Sequence, residues 1–281
     1  MTAIMQLPGI LTSVPPGMEE AILLEPSGLV SRDLEALFLF EEGSGTVLED
    51  AQGGASGTID SLASSNNAFS RLSGGGVQLS GAQLGSFPAF DGASAWTLFA
   101  ACRVVNHTGS AGTEKIAGLI GSRSLGAAPI RGAYLFQRGA TNLSAASANA
   151  FYQHRSSDGA GGLAQSESLT PVNLNTFDLP RLAIISYNGT DAIESRIVDR
   201  AGATIAADTL AATDSQLWTA GGTTAANQQW VIGGLSSTYG GGVVQYEFSA
   251  RYRRALSDFS AVEIKHIAAA AAAIGTGRGR S

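Results

Sequence analysis

The stretch RLAIISYNGTDAIESRIVD, residues 181–199, consists of two short apolar runs separated by Asn188-Gly189. Asn-Gly is a strong turn signal, and short runs on either side of it are typical of paired β-strands. Runs of this kind, broken by glycine-rich turns, recur from residue 35 to residue 256 with no helical segment between them. The pattern predicts an all-β domain, a two-sheet antiparallel β-sandwich.

A longer run, AWTLFAACRVV at residues 95–105, is apolar without alternation. Such a run is typical of a central strand that is buried on both faces. It contains the single cysteine of the chain, Cys102, which we expect to be a buried small hydrophobic residue. Trp96 and Trp230 also fall in predicted strands, so we expect them in the core.

The composition suits a turn-rich β-protein. The chain has 281 residues with 36 glycines, 14% charged residues and a net charge of −6. Mild acidity predicts neither a nucleic-acid partner nor a polybasic membrane surface. No Lys or Arg precedes Arg32, and no apolar stretch approaches the roughly 20 residues of a membrane span. We therefore expect a soluble protein without an export signal.

Residues 1–34 form a separate, proline-rich segment before the first predicted strand. Four of the eight prolines fall here, and proline opposes regular strand pairing. The segment is nevertheless too apolar for a solvated tail. It is predicted to be an extended arm that lies on its own domain or on a neighbouring subunit. The candidate assembly residues of this arm are Leu7, Ile10, Leu11, Val14, Ile22, Leu23 and Leu24.

The stretch YRRALSDFSAVEIKHIAAAAAAIG, residues 252–275, predicts the one convincing helix, over 257–274. Ser257 or Ser260 can cap it, and Ser260 with Glu263 fits a capping box. The run of alanines has high helix propensity and small side chains. It can pack on the N-terminal arm or on another subunit, or it can form an exposed helix end. Gly275 is expected to end the helix before a flexible basic tail at 275–281. The side chains expected to reach the domain body are Phe259, Val262, Ile264 and Ile267.

Three stretches carry a family resemblance: LFLFEEGSGTVLEDAQGGASGTI (37–59), WTLFAACRVV with the later 181–199 hairpin, and the closing WVIGGLSSTYGGGVVQYEFSARYRRALSDFSAVEI. Together they resemble a laminin-G-type jelly roll of the concanavalin A-like lectin/glucanase superfamily. The resemblance covers roughly residues 35–267 and implies a jelly-roll domain at 35–256. It also implies a calcium site at a sandwich rim, for which Asp50 and Asp91 are the candidates. The alternative is that both are structural acids of turns.

A sugar-binding member of such a family would present an exposed aromatic ring for stacking. Trp218, in DSQLWTAGG, and Tyr239, in SSTYGGG, fall in glycine-rich loops and are the candidates for glycan contact. The alternative is that these rings anchor their own loops.

The sequence lacks a recognisable catalytic group. No G-x-S-x-G elbow occurs, and His107, His154 and His266 are far apart. Glycoside hydrolysis needs two carboxyls held across a sugar bond. Glu41 and Glu42 are adjacent, Glu194 and Asp199 are five residues apart, and Glu247 stands alone. None of these spacings places two acids on one face of a strand, so we expect no enzymatic activity.

These observations predict a structural or interaction protein that needs no cofactor, apart from the calcium considered above. The apolar arm and the low charge favour a bacteriophage virion subunit, either a head-decoration protein or a tail fibre or spike component. Its partners would then be other virion proteins or further copies of itself. The alternative is a lectin-like module that binds a surface carbohydrate or a receptor, and a glycoside hydrolase is the third possibility.

Overall fold

The computed structural model describes residues 28–61, 69–80, 83–107, 115–124, 132–139, 149–155, 166–168, 179–211, 228–233 and 242–279. These residues form sixteen strands, one 3-10 turn (Leu256–Asp258) and one α-helix, α1 (Ala261–Gly277). The strands are β1 (Leu34–Phe38), β2 (Val47–Leu48), β3 (Gly57–Ser61), β4 (Ser70–Arg71), β5 (Val77–Ser80), β6 (Gln83–Phe90), β7 (Trp96–His107), β8 (Lys115–Ser124), β9 (Gly132–Gly139), β10 (Asn149–Arg155), β11 (Ser166–Ser168), β12 (Arg181–Tyr187), β13 (Ala192–Val198), β14 (Thr204–Ala211), β15 (Gln228–Gly233) and β16 (Gly242–Tyr252).

The strands make two eight-stranded sheets. Sheet I has the order β14-β13-β12-β7-β16-β5-β4, and β1 also pairs with β16. Sheet II has the order β11-β10-β9-β8-β15-β6-β3-β2. Every described pair is antiparallel, as in the β12–β13 and β8–β9 ladders. The predicted fold class, a two-sheet antiparallel sandwich with a C-terminal helix, is confirmed.

Aromatic side chains fill the space between the two sheets. Phe87 lies 4.4 Å from Phe38 and 4.2 Å from Trp230, measured between ring centroids. Trp96 is buried in the same cluster, where its ring meets Phe90 edge-on. Both tryptophans predicted for the core are therefore found there.

One tyrosine joins the two sheets by hydrogen bonds. The Tyr246 hydroxyl, on β16 of sheet I, donates to the Gly118 carbonyl (2.6 Å) and accepts from the Gly233 N–H (3.0 Å) in sheet II. Burial raises the pKa of Tyr246 well above its ordinary value, so the hydroxyl keeps its proton. The phenol therefore satisfies two backbone groups that the interior would otherwise leave without partners.

Strand β7 is buried on both faces, as its sequence predicts. Leu98 and Ala100 face the core between the sheets. Phe99 and Ala101 face outward into a second apolar cluster, which includes residues of α1. Cys102 is buried too, and burial raises the pKa of its thiol to about 12, so the thiolate does not form at neutral pH.

The predicted hairpin at 181–199 is present, and side-chain oxygens shape its turn. Asn188 Oδ1 accepts hydrogen bonds from the N–H groups of Thr190, Asp191 and Ala192. Gly189 has a φ of +81°, a left-handed conformation that glycine adopts without strain. The Asn-Gly pair thus specifies the turn.

Helix α1 begins later than predicted. Ser260 is its N-cap, and the capping box with Glu263 is complete: each residue's side chain accepts from the other's backbone N–H. The residues before it form a separate 3-10 turn, so Ser257 is not the cap. One of the four side chains predicted to reach the domain body does not do so. Val262 is 44% exposed, whereas Phe259, Ile264 and Ile267 are buried as predicted.

The end of α1 also differs from the sequence prediction. Gly275 does not end the helix, which continues to Gly277. The Arg278 side chain then lies against sheet I instead of in a flexible tail. Its Nη1 donates to the Glu247 carbonyl and its Nη2 to the Leu39 carbonyl, both at 2.7 Å. These bonds hold the last turn of the helix on the sheet.

The described end of the predicted arm packs on the chain's own sandwich. Leu29 and Val30 are buried in the cluster between sheet I and α1. The Tyr252 hydroxyl donates to the Val30 carbonyl at 2.8 Å. A Cβ at Gly28 would lie 3.5 Å from the Ala270 Cβ, so the arm passes directly over the alanine run. Among the described residues, no helix is long and apolar enough to cross a membrane.

Candidate functional site

A pocket lies between the C-terminal half of α1 and the outer face of sheet I. Its enclosed volume is about 20 Å³, room for about one water molecule, and the rest of the depression is open to solvent. The helix side is formed by Ala268, Ala271, Ala272 and Gly275, which are spaced three or four residues apart and share one helix face. Because these side chains are small, the helix does not fill the space above the sheet.

The sheet side of the pocket carries three arginines. Arg103 lies on β7, Arg181 begins β12, and Arg200 lies in the turn between β13 and β14. Burial lowers the pKa of Arg181, and the nearby Asp199 carboxylate opposes that shift. A guanidinium that is partly removed from water while it stays charged favours an anion beside it.

Two carboxylates, Asp199 and Glu247, also line the pocket, and both are already engaged. Asp199 Oδ1 accepts from the N–H groups of Ala201 and Ala203, each at 2.9 Å. Glu247 Oε2 accepts from Arg278 Nη1 at 3.2 Å. Three arginines and two carboxylates thus meet at this wall.

The sequence alone does not reveal this pocket. Its arginines come from two strands and a turn that are far apart in the sequence, and the order and register of sheet I bring them together. The one signal in the sequence is the run of alanines, which indicates close packing but not a cavity.

The two calcium candidates occupy turns. Asp50 Oδ1 accepts from the N–H groups of Leu37 and Gln52, both at 2.9 Å. A Cβ at Gly54 would lie 2.3 Å from Asp50 Oδ2, so glycine is needed beside this carboxylate. Asp91 Oδ1 accepts from the Ala93 N–H at 3.0 Å. Within the described ranges, no three His, Cys, Asp or Glu residues form a group suited to a metal ion. Calcium binding stays a prediction.

The other predicted site residues fall elsewhere. Trp218 and Tyr239, the candidates for glycan contact, lie outside the described residues. The same holds for the arm candidates Leu7, Ile10, Leu11, Val14, Ile22, Leu23 and Leu24. The roles assigned to all of them stay predictions.

Four of the five carboxylates considered for hydrolysis, Glu41, Glu42, Glu194 and Glu247, form ion pairs with arginines. Glu42 accepts from Arg71 Nη1 at 2.8 Å, and Glu194 accepts from Arg196 Nε at 2.8 Å. Strand β1 ends at Phe38, so Glu42 lies outside it and is not a strand residue. Together with Glu247, which pairs with Arg278, these acids have structural partners on the chain itself.

Comparison with known proteins finds likenesses in structure only. No family model matches the sequence, and no curated protein matches it. The solved structure of Trypanosoma rangeli sialidase matches with a TM-score of 0.52 and 13% identity, over 87% of this chain and 34% of that chain. The same sialidase in complex with sialic acid matches with a TM-score of 0.51 and 13% identity, over the same shares.

The binding domain of Paraclostridial Mosquitocidal Protein 1 matches with a TM-score of 0.50 and 12% identity, over 84% of this chain and 52% of that chain. The chain thus spans about a third of the sialidase and about half of the toxin domain. At such low identity these likenesses show the fold alone, a β-sandwich.

Proposed function

We propose that this chain is a lectin-like β-sandwich module that binds a carbohydrate without turning it over. The observation that carries the proposal is the likeness of its two-sheet sandwich to a toxin's binding domain and to a sialidase solved with sialic acid. Because a shared fold does not fix a function, the proposal needs a direct binding test.

The ion pairs of the acidic residues favour binding over hydrolysis. Most glycosidases, sialidases being an exception, hold two carboxyls about 5–10 Å apart across the sugar bond. Glu42, Glu194 and Glu247 are each held by an arginine of this chain. We therefore expect the purified chain to release no sugar from sialylated or neutral polysaccharides, as measured by reducing-end and free sialic acid assays. Turnover by the pure chain would contradict the non-catalytic part of the proposal.

A glycan array tests the binding part. The full chain, labelled with a fluorophore on surface lysines, is expected to bind a defined subset of the immobilised glycans. The same chain after thermal unfolding is the control, because binding by an unfolded chain would be non-specific. If the folded chain bound no glycan at micromolar concentration, the proposed function would be wrong.

Assembly into a virion, as a head-decoration or a tail fibre or spike subunit, remains a second proposal. What supports it is the apolar, proline-rich composition of residues 1–27. Leu29 and Val30 anchor the described end of the arm on the chain's own sheet I. Residues 28–33 therefore belong to the folded body, and a truncation for testing the arm has to begin at Gly28.

Light scattering on a sizing column tests whether the arm joins subunits or lies on its own domain. If the arm joins subunits, the full chain is an oligomer and the chain beginning at Gly28 is a monomer. An unchanged mass after truncation would show that the arm does not hold copies of this chain together.

A further inference from the structure

We propose that Asp208 closes the edge of sheet I at β14, and that without this side chain the edge pairs with β14 of a second copy of the chain. The edge of a β-sheet presents backbone N–H and C=O groups that another strand can bind. The inference concerns self-association, so it stands or falls independently of the proposed carbohydrate binding.

Strand β14 is the longest edge strand in the described part of the chain. It has eight residues, and among the described strands it pairs only with β13. The other edge strands, β1, β2, β4 and β11, have between two and five residues. The β14 sequence, TIAADTLA, contains no Pro, Lys or Arg, the residues that commonly block an edge. Protection of this edge therefore has to come from another feature.

The hydrogen-bond pattern of β13 shows which groups of β14 point outward. The Asn188 N–H donates to the Ala192 carbonyl, so Ala192 and every second residue after it point their backbone groups toward β12. The residues between them, such as Ser195, point toward β14, where Ser195 faces Asp208. The backbone groups of Asp208 therefore point toward β13, and those of its neighbour Thr209 point toward the open edge.

The outward N–H of Thr209 is already occupied. It donates to Oδ1 of the preceding residue, Asp208, at 2.8 Å. Because the acceptor is a carboxylate, this hydrogen bond is stronger than one between two neutral groups. A strand that paired with β14 would have to break it in order to reach the Thr209 donor. The Asp208 side chain thus competes directly with strand addition.

The same arrangement occurs at β1, the second-longest edge strand of the described ranges. Its Leu37 N–H donates to Asp50 Oδ1 at 2.9 Å, and the Leu37 carbonyl accepts from the Ala51 N–H at 2.7 Å. These groups therefore point away from β16, the strand with which β1 pairs. Two edges that are far apart in the sequence thus each have an outward N–H bound by an aspartate oxygen. This recurrence supports occupation of the edge as the role of Asp208.

Sedimentation velocity on the full chain tests the inference. Asp208→Val removes the acceptor and introduces a β-branched side chain, which suits a strand. Across a dilution series, we expect the mass of this variant to rise toward about twice that of the wild-type chain, because two identical edges pair with twofold symmetry. Asp208→Ala repeats the test with a smaller side chain, so the result does not depend on how valine packs. Wild-type mass in both variants, with circular dichroism showing folded protein, would overturn the proposal.

Two further variants separate the hydrogen bond from the charge. Asp208→Asn keeps an oxygen acceptor and loses the charge, so we expect it to keep the wild-type mass. Asp258→Ala removes an exposed acid outside β14 and is the control for net charge, again with no expected change. Association of either variant as strong as that of Asp208→Val would assign the effect to charge, and the proposed role of the hydrogen bond would be wrong.

Hydrogen exchange locates the new contact. In concentrated Asp208→Val, peptides that cover residues 204–211 are expected to exchange more slowly than in a dilute sample of the same variant. Peptides that cover β1 are the internal control and are expected to exchange equally in both samples. Association without slower exchange in residues 204–211 would place the contact on another surface and overturn the proposal.

Discussion

The two halves of α1 lie on the same face of the same sheet, yet they meet it in opposite ways. At the N-terminal end, the Phe259 ring lies 5.3 Å from Phe99 and 5.2 Å from Tyr252, and Ile267 is buried below it. At the C-terminal end, Ala272 and Gly275 leave the pocket open. Side-chain size along one helix thus decides where the sheet is sealed and where it remains accessible.

The charged side chains also differ between the two ends of α1. At the sealed end, Arg254 and Glu263 form a buried ion pair at 2.8 Å, and the Arg254 guanidinium lies 3.6 Å above the Phe259 ring. At the open end, three arginines and two carboxylates line the pocket. A buried charge needs a built-in partner. The sealed end therefore depends on its ion pair for stability.

The largest effect is expected from breaking the buried ion pair. Glu263→Ala leaves the buried Arg254 with only the more distant Asp33 carboxylate, 3.9 Å away, and removes half of the capping box. The free energy of unfolding should fall by about 3–5 kcal/mol, measured by urea denaturation at pH 7. Replacing both residues by methionine should cost less than the single change, since no charge is then left unpaired. Wild-type stability in Glu263→Ala would show that the sealed end does not depend on this pair.

The next effect comes from opening a cavity at the sealed end. Ile267 is fully buried between α1 and sheet I. Ile267→Ala should lower the free energy of unfolding by about 2–4 kcal/mol, in the same urea experiment. Val262→Ala on the exposed side of the same helix is the control and should change it by less than about 0.5 kcal/mol. Equal effects of the two changes would contradict the assignment of the buried face.

Two alanines of α1 test where its tightly packed half ends and the half beside the pocket begins. Ala270 is buried against the arm near Gly28, whereas Ala272 borders the pocket. Ala270→Leu should overpack this contact and lower the free energy of unfolding by about 1–3 kcal/mol. Ala272→Leu should change it by less than about 0.5 kcal/mol, because the new side chain enters empty space. Thermal unfolding of the two variants side by side measures the difference, and a reversed order would contradict it.

The smallest effect is expected from lowering the pH, which protonates Glu263 and so lowers the free energy of unfolding. Burial by itself raises the pKa of Glu263, but hydrogen bonds from the Ser260 N–H and from Arg254, together with the Arg254 charge, lower it below its ordinary value near 4.5. A carboxyl with a lowered folded-state pKa contributes stability above the unfolded value and loses it as the pH falls through the folded one. Stability should therefore drop below pH 4.5, and less so in Glu263→Gln. The free energies of unfolding of the wild-type chain and of Glu263→Gln are measured by urea denaturation at pH 7 and at acidic pH. An equal loss of stability in the two chains at acidic pH would contradict the role of Glu263.

Local chemistry explains which parts of this structure the sequence predicts. The Ser260–Glu263 capping box and the Asn188-Gly189 turn involve residues within a few positions of each other, so their spacing is enough. The sandwich follows from strand-length runs and turns. Val262 is exposed, contrary to the prediction, because it lies two positions before the buried Ile264, about 200° around the helix axis, so the two side chains cannot both face the sheet.

Long-range register explains what the sequence does not predict. The Arg278 side chain binds the Leu39 carbonyl, a partner more than two hundred positions away. The pocket arginines likewise meet only because β12 pairs with β7 in one particular register. Hydrophobic periodicity specifies neither contact, since it gives the face of a strand but not its neighbour.

The position of β16 has a consequence for how the chain is made. This strand is late in the sequence but central in sheet I, with β7 on one edge and both β1 and β5 on the other. During synthesis, β1 and β5 therefore each lack the partner strand for one edge until residues 242–252 have left the ribosomal exit tunnel. Tyr246, which joins the two sheets, arrives at the same moment. Assembly of the sandwich is thus a late and concerted step of biogenesis, and nascent chains are at most risk of misassociation just before it.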